Sequence, residues 1–266
     1  MAKYTLDKLR STLIRLEDTI IFALIERAQF AYNASIYQKG ALEFKGATGE
    51  LSFLEYFLWE TEKVHAKVRR YTSPDEYAFT SPLPDPILPP LEFDKFLAPN
   101  DINVNHKIMD IYLKELVPHI CSQQEGDDRN YGSSVTRDIE ALQALSKRIH
   151  YGKFIAESKF RSNPKEYTQL ALIEDREKID ELLTNKAVER KVLERLRRKA
   201  LVYGQTLDEE QEGKNIHLRI PVELVVDLYK QWVIPLTKEV EIEYLIQRGQ
   251  QFAANNDQQT EGFKDE

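Results

Sequence analysis

A charged side chain on the apolar face of a helix needs a partner or a ligand, because burying an unpaired charge costs several kcal/mol. Two stretches of this 266-residue chain place charges in that way. At about 100° per residue, the first apolar stripe runs from Leu16 through Leu9 and Leu6 to Ile14. Arg10 and Glu17 fall inside it, while Arg15 and Asp18 fall outside. Two turns separate Arg10 from Glu17, so an internal ion pair is their simplest reading. In the second stretch, residues 134–160, Arg148 and Lys159 are close to three turns apart and point in nearly the same direction. Their α-carbons should stand ~16 Å apart along the axis, and long side chains leaning inward could grip the two ends of one small molecule. Gly152 and Ala156 lie between them on that side. Glycine inside a helix costs about 1 kcal/mol relative to alanine. Here it would clear space for a packed helix, the commoner use, or for a ligand.

Two further pairs, Asn185/Glu189 and Thr237/Glu241, set a neutral hydrogen-bonding group one helical turn from a carboxylate. Such pairs are frequent on solvated faces, but Thr237 and Glu241 follow Trp232, Ile234, Pro235 and Leu236, which predicts a buried setting. Three cations, two carboxylates and two neutral polar groups together suit a small dianion that also carries hydroxyl or ether oxygens. Arginine's planar fork matches carboxylate geometry. Other chemistries lack their motifs. There is no Gly-rich phosphate loop or dinucleotide fingerprint and no GxSxG elbow. The five histidines (His65, His106, His119, His150, His217) lack the HExxH spacing of a zinc site. These absences together favour a reaction without cofactor or metal, or a binding protein.

The elements that must position these residues are helical nearly throughout. Leu6, Leu9, Leu13, Leu16, Ile20 and Leu24 recur at three- and four-residue spacing and predict a long first helix. After a polar stretch over 39–50, a second helix is expected over 51–71, ending near Ser73-Pro74-Asp75. Residues 77–100 hold six of the eleven prolines and should form an extended connection. Its Leu83, Ile87, Leu88, Leu91 and Phe93 read as residues lying on a core, with a polyproline ligand for a partner domain as the lesser alternative. A helix over 103–122, bent at Pro118, leads through a polar turn (123–132) to one long helix over 134–160. Two short helical pieces come next within 164–185, then a charged amphipathic helix over 185–203 and a loop over 204–218. Pro221 suits the start of a last helix that reaches Arg248. The result is an all-α, single-domain multi-helix bundle over residues 1–249, with no β-sheet. The polar tail, 250–266, has too little apolar content to fold.

Composition narrows the class further. The net charge of −7 lacks the positive footprint of a general nucleic-acid binder. Cys121 is the one cysteine, so no intrachain disulfide forms and a reducing, cytoplasmic setting is expected. The first residues lack the apolar stretch of a secretory leader and carry acidic residues unlike a transit peptide. No run of ~18 apolar residues predicts a membrane span.

Six collinear segments, RLEDTIIFALIERAQFAYN (15–33), VRRYTSPDE (68–76), GDDRNYGSSVTRDIEALQALSKRIHYGKFIAESKF (126–160), TNKAVERKVLERL (184–196), KALVYG (199–204) and VIPLTKEVEIEYLIQR (233–248), resemble the eukaryotic, fungal-type all-helical chorismate mutases. The resemblance runs from about Leu6 to Arg248. It implies a cofactor-free Claisen rearrangement of chorismate to prephenate on the route to phenylalanine and tyrosine, in a homodimer regulated by tyrosine and tryptophan. By the same resemblance, Arg10 and Arg148 match the arginines that bind the two substrate carboxylates. Lys159 matches the lysine near the ether oxygen, and Asn185 and Glu189 match the pair beside the ring hydroxyl. Thr237 and Glu241 match the threonine and carboxylic acid of the far wall, while Glu17 takes a supporting ion-pair role.

For the effector site, Arg69 and Arg70 match the arginines contributed by one subunit. Asn130, Gly132, Ser133 and Thr136 match the loop and helix start contributed by the other. Free N–H groups at a helix start suit a ligand carboxylate, although plain capping by Ser133 or Ser134 would use the same residues. The helix over 134–160 would then join the regulatory and catalytic sites. One departure stands out: Ile220 precedes Pro221 where the fungal members carry threonine, so tyrosine and tryptophan are expected to bind with altered coupling to activity. The rival readings are a helical interaction protein and a catalytically inactive regulatory module that binds aromatic amino acids.

Overall fold

A computed structural model describes residues 4–42, 49–121, 126–205 and 218–261. Parts of the expected 39–50 stretch, the 123–132 turn and the 204–218 loop lie outside the described residues. So do Ser122, His217 and the tail beyond residue 261. Eleven α-helices are described: α1 (Leu6–Arg27), α2 (Phe53–Lys67), α3 (Asn105–Ile111), α4 (Val117–Ile120), α5 (Tyr131–His150), α6 (Gly152–Ser162), α7 (Pro164–Leu172), α8 (Arg176–Leu183), α9 (Lys186–Gly204), α10 (Val222–Leu228) and α11 (Ile234–Glu261). Among the described residues the β content is one isolated bridge, Gln205 to Leu218, so the fold is all-α as expected.

Local chemistry explains where helices begin. Thr5 caps α1 by accepting from Lys8 N, and Ser52 with Glu55 forms a reciprocal capping box at α2. Asp175 and Asn185 cap α8 and α9 in the same way as Thr5. At the centre, α5 packs against α1, α2, α3 and α11. Its Val135, Ile139, Leu142, Leu145 and Ile149 are buried in the main core. A smaller cluster of Leu9, Leu16, Phe96, Tyr151 and Phe154 backs the start of α1.

Five expectations need correction. The helix expected over 134–160 starts three residues earlier, at Tyr131, and is broken at Tyr151. There the chain tightens, with Phe154 N donating to Tyr151 O (3.1 Å). The bend expected at Pro118 takes the form of a π turn over Tyr112–Leu116, and a second π turn, Tyr229–Val233, divides the expected last helix just before Pro235. A proline has no N–H to give to the residue four before it and crowds that carbonyl, and a widened turn accommodates both.

The proline-rich connection is extended, but Ile87, Leu88, Leu91 and Phe93 are exposed instead of lying on the core. Polar contacts hold that segment in place. Buried Glu62 accepts from Phe79 N, Thr80 N and Thr80 Oγ1, Trp59 Nε1 donates to Pro82 O, and Ile87 N donates to Lys67 O. Finally, the segment after Arg248 is helical to Glu261, so the boundary expected at residue 250 falls inside α11. Apolar content is low there, yet Phe252 packs edge-on to Phe160, Arg248 covers both rings, and Gln251 donates to Pro99 O (2.9 Å).

Candidate active site

Arg148 lies in the last turn of α5 and is buried to 6% exposure. Its Nη1 donates to Thr237 Oγ1 (3.3 Å), and its buried Nε has no hydrogen-bond partner. A buried guanidinium with an unused N–H has room for a further acceptor, such as a ligand carboxylate. Thr237, also buried, donates to Val233 O (2.6 Å) inside the π turn, which fixes its hydroxyl toward Arg148. One turn on, Glu241 is buried, and that burial pushes its carboxyl up to about 7 against the opposing pull of Lys159, Arg148 and Lys238. Lys159, on α6, donates to Leu183 O (3.0 Å) at the end of α8. Burial holds its ammonium below the ordinary lysine value, Glu241 opposes that, and Arg10 and Lys238 reinforce it.

Arg148, Lys159, Thr237 and Glu241 are thus one group. Arg10 stands at its rim with a side chain 57% exposed and a loose contact to Asp7 (3.7 Å), its charge felt at Lys159. The expected Arg10–Glu17 pair does not form. Buried Glu17 instead accepts from Arg195 at 2.8 and 2.6 Å and meets Lys199 at 3.2 Å, so its ion-pair role is met from α9. Glu189 is tied to the far wall through Lys238 Nζ (3.0 Å), which also reaches Asp180 (3.4 Å) and Thr184 Oγ1 (2.6 Å). Asn185 serves α9 as its cap, accepting from Ala187 N and Val188 N, and the residue is exposed.

Lys238, Arg195 and Lys199 are the polar residues of this region that spacing missed. Lys238 sits beside the flagged Thr237, so the α11 wheel could have found it. Arg195 lies 178 residues from Glu17, beyond the reach of any periodicity.

The second set of expected residues divides in two. Arg69 has a left-handed backbone (φ 70°) and donates from Nη1 to Pro89 O. Arg70 is half-buried, bonded to Glu76 (3.1 Å) and Gln143 Oε1 (2.9 Å). Asn130, Gly132, Ser133 and Thr136 are exposed at the start of α5. No side chain caps that helix: Thr136 Oγ1 donates to Gly132 O, and Ser134 Oγ is buried and accepts from Asn33 Nδ2. Capping by Ser133 or Ser134 is therefore not the arrangement. Gln143, where Arg70 meets α5, lies two turns along that helix from Thr136 and three from Gly132, about 10 to 16 Å, so Arg70 is directed at the middle of α5 and not at its start.

Residues 130–242 match the family model described as chorismate mutase type II. The chain is 49% identical over 249 residues to the chorismate mutase of Trichoderma parareesei, covering 91% of this chain and 92% of that protein. Among solved structures it is similar to the chorismate mutase of Candida albicans in complex with L-Trp, with a TM-score of 0.86, 44% identity and 92% of each chain covered. It is also similar to AtCM1 with tyrosine bound in its allosteric site, with a TM-score of 0.80, 44% identity and coverage of 92% and 96%. Sequence along more than nine-tenths of the chain, and the fold that carries it, agree that this protein belongs to the chorismate mutase family, isomerases that convert chorismate to prephenate.

Proposed function

We propose that the group formed by Arg148, Lys159, Thr237 and Glu241, with Arg10 at its rim, is where chorismate rearranges to prephenate. The observation that carries this reading is the buried guanidinium of Arg148, whose Nη1 is held by the neutral Thr237 hydroxyl and whose Nε has no hydrogen-bond partner among the described residues. The rearrangement is pericyclic, so it needs no nucleophile or general base. It needs the compact, chair-like conformer of the substrate and stabilisation of the charge that grows as the C–O bond breaks. Arg148 and Arg10 bind the two carboxylates and reduce the entropic part of the barrier. Lys159 and protonated Glu241 donate to the ether oxygen, a preorganised stabilisation of developing negative charge. Glu189, Asn185 and Lys238 border the side of the ring hydroxyl. Adding the purified protein to chorismate should abolish the substrate's absorbance with first-order kinetics at limiting substrate. Chorismate that persists at its uncatalysed rate would reduce the protein to a binding module.

The same reading extends to regulation. Tyrosine and tryptophan bind between Arg69 and Arg70 of one subunit and Asn130, Gly132, Ser133 and Thr136 of a second. The offset of about 10 to 16 Å along α5 between Gln143, which holds Arg70, and the residues at the helix start supports a homodimer that brings the two sets together. Ile220 is fully buried and offers no hydroxyl beside Pro221, which supports altered coupling between effector binding and turnover. We assign the enzyme to the cytoplasm on its single buried thiol, Cys121. No helix among the described residues is long and apolar enough to cross a membrane.

A further inference from the structure

Glycine weakens a helix, and Gly152 opens α6 between the two cations of the site. Its backbone is not in the left-handed region, so conformation alone does not demand glycine there. Space does. A Cβ at this position would stand 2.9 Å from Thr237 Cγ2, 3.1 Å from Glu241 Cγ and 3.2 Å from Thr237 O. All three atoms belong to the two α11 residues of the proposed site.

We infer that Gly152 is a positioning residue for the rearrangement: its missing side chain lets α11 close on α6, so that Thr237 meets Arg148 and Glu241 is seated at the same junction. This inference rests on the reading of that group as the active site. The charge state of Glu241 depends on the same approach. It is faced by Lys159 from α6, Arg148 from α5, Lys238 from its own helix, Asp180 from α8 and Tyr167 from α7. An alanine at 152 presses first on the Thr237 methyl and then on the Glu241 stem, and moves both relative to Arg148 and Lys159. Gly249 provides the comparison, because a Cβ there would meet Ala171 Cβ at 2.4 Å and Tyr167 O at 3.1 Å, packing α11 on α7 two turns beyond Glu241.

The test compares pH–rate profiles of the full-length wild type with those of Gly152→Ala, Gly249→Ala, Thr237→Ser and the Gly152→Ala/Thr237→Ser double variant, with circular dichroism reporting the folded fraction. Gly152→Ala should lose ~10- to 100-fold in kcat per folded molecule, the scale of a misplacement near 1 Å, and shift the midpoint of its falling limb. Thr237→Ser removes the methyl at 2.9 Å and keeps the hydroxyl, so it should raise kcat severalfold in the Gly152→Ala background but not in the wild type. Gly249→Ala should lose stability without moving the midpoint. The inference is overturned if Gly152→Ala stays within twofold of wild type with an unmoved profile. A loss that only tracks its folded fraction without rescue by Thr237→Ser also overturns it. If Gly152→Ala fails to fold, the double variant decides: folded and active supports the inference, and inactive or unfolded overturns it. Glu241→Gln, measured alongside, tests the site itself, because a profile identical to wild type there defeats the underlying reading whatever Gly152 does.

Discussion

At the scale of single residues, Glu241 carries the sharpest consequence. Its carboxyl donates only when protonated, and burial raises it to about 7. Below that value the donor is present, and above it the site holds a carboxylate that repels the growing negative charge. Turnover should therefore fall as pH rises through about 7. Glu241→Gln keeps a donor at all pH values and should flatten the profile, whereas Glu241→Ala should cost ~10²-fold in kcat, the usual effect of losing one preorganised donor. A stopped-assay series on the three proteins, spanning about two pH units either side of that midpoint, checks both. Sequence patterns alone bring Arg148, Lys159 and Glu241 to notice, the two cations by their shared helical side and Glu241 by its one-turn spacing from Thr237 after an apolar run, and the fold places all three together. The Arg10–Glu17 pair was misread for the complementary reason. The partner that outcompetes Arg10 sits on α9, brought to Glu17 by the tertiary fold, and helical spacing carries no information about it.

At the scale of elements, periodicity located the helices and missed what joins them. A π turn before proline changes the phase of the next helix without disturbing the apolar pattern, and the break at Tyr151 keeps a helical residue in place. The junction of α5 and α6 also holds a buried group outside the proposed chemistry. Lys153 is fully buried, donates to Ile102 O and lies 4.1 Å over the Tyr77 ring. Tyr77 also stacks on His150, whose Nε2 accepts from Val104 N. Burial lowers Lys153 to about 7, opposed weakly by Asp101. Proton counts set the sign of the effect on stability. Above about 7 the folded chain has released this proton, while the unfolded chain keeps it up to about 10.4. The unfolded state therefore binds more protons in that window, so stability rises with pH there and is lost as pH falls through the folded value. Urea midpoints should climb between about pH 7 and 9 in the wild type. Lys153→Met should remove most of that climb and be at least as stable at neutral pH. Parallel pH dependences in the two proteins would assign the effect elsewhere.

At the scale of the whole molecule, the exposed apolar residues and the two separated sets of proposed effector residues bear on the proposed homodimer. Val64, Val68 and Ile87 are 60%, 49% and 75% exposed, and Ile87 abuts the end of α2 through its bond to Lys67 O. They flank Arg69 and Arg70. Sequence alone puts Ile87 on the chain's own core, because apolar content between prolines does not say which surface will cover it. Arg70 reaches α5 through Gln143, and Glu76 joins it to Lys147, the neighbour of Arg148. A ligand that takes Arg70 from these partners would act on the helix that carries Arg148, which gives the proposed coupling a physical route, to be established by energetic coupling and not by proximity. The protein should elute with the light-scattering mass of two 31.0 kDa chains. Val68→Glu/Ile87→Glu should shift it toward monomer. Every residue of the proposed active site comes from one chain, so chorismate turnover should persist in that monomer, while binding of tyrosine and tryptophan, measured by calorimetry, should disappear. In the wild type both should bind, and Ile220→Thr should strengthen tyrosine inhibition by supplying a hydroxyl beside Pro221. A wild type already showing full tyrosine inhibition with sigmoidal kinetics would remove Ile220 from the coupling. Effector binding that survives in the monomer would mean that one chain completes the site alone.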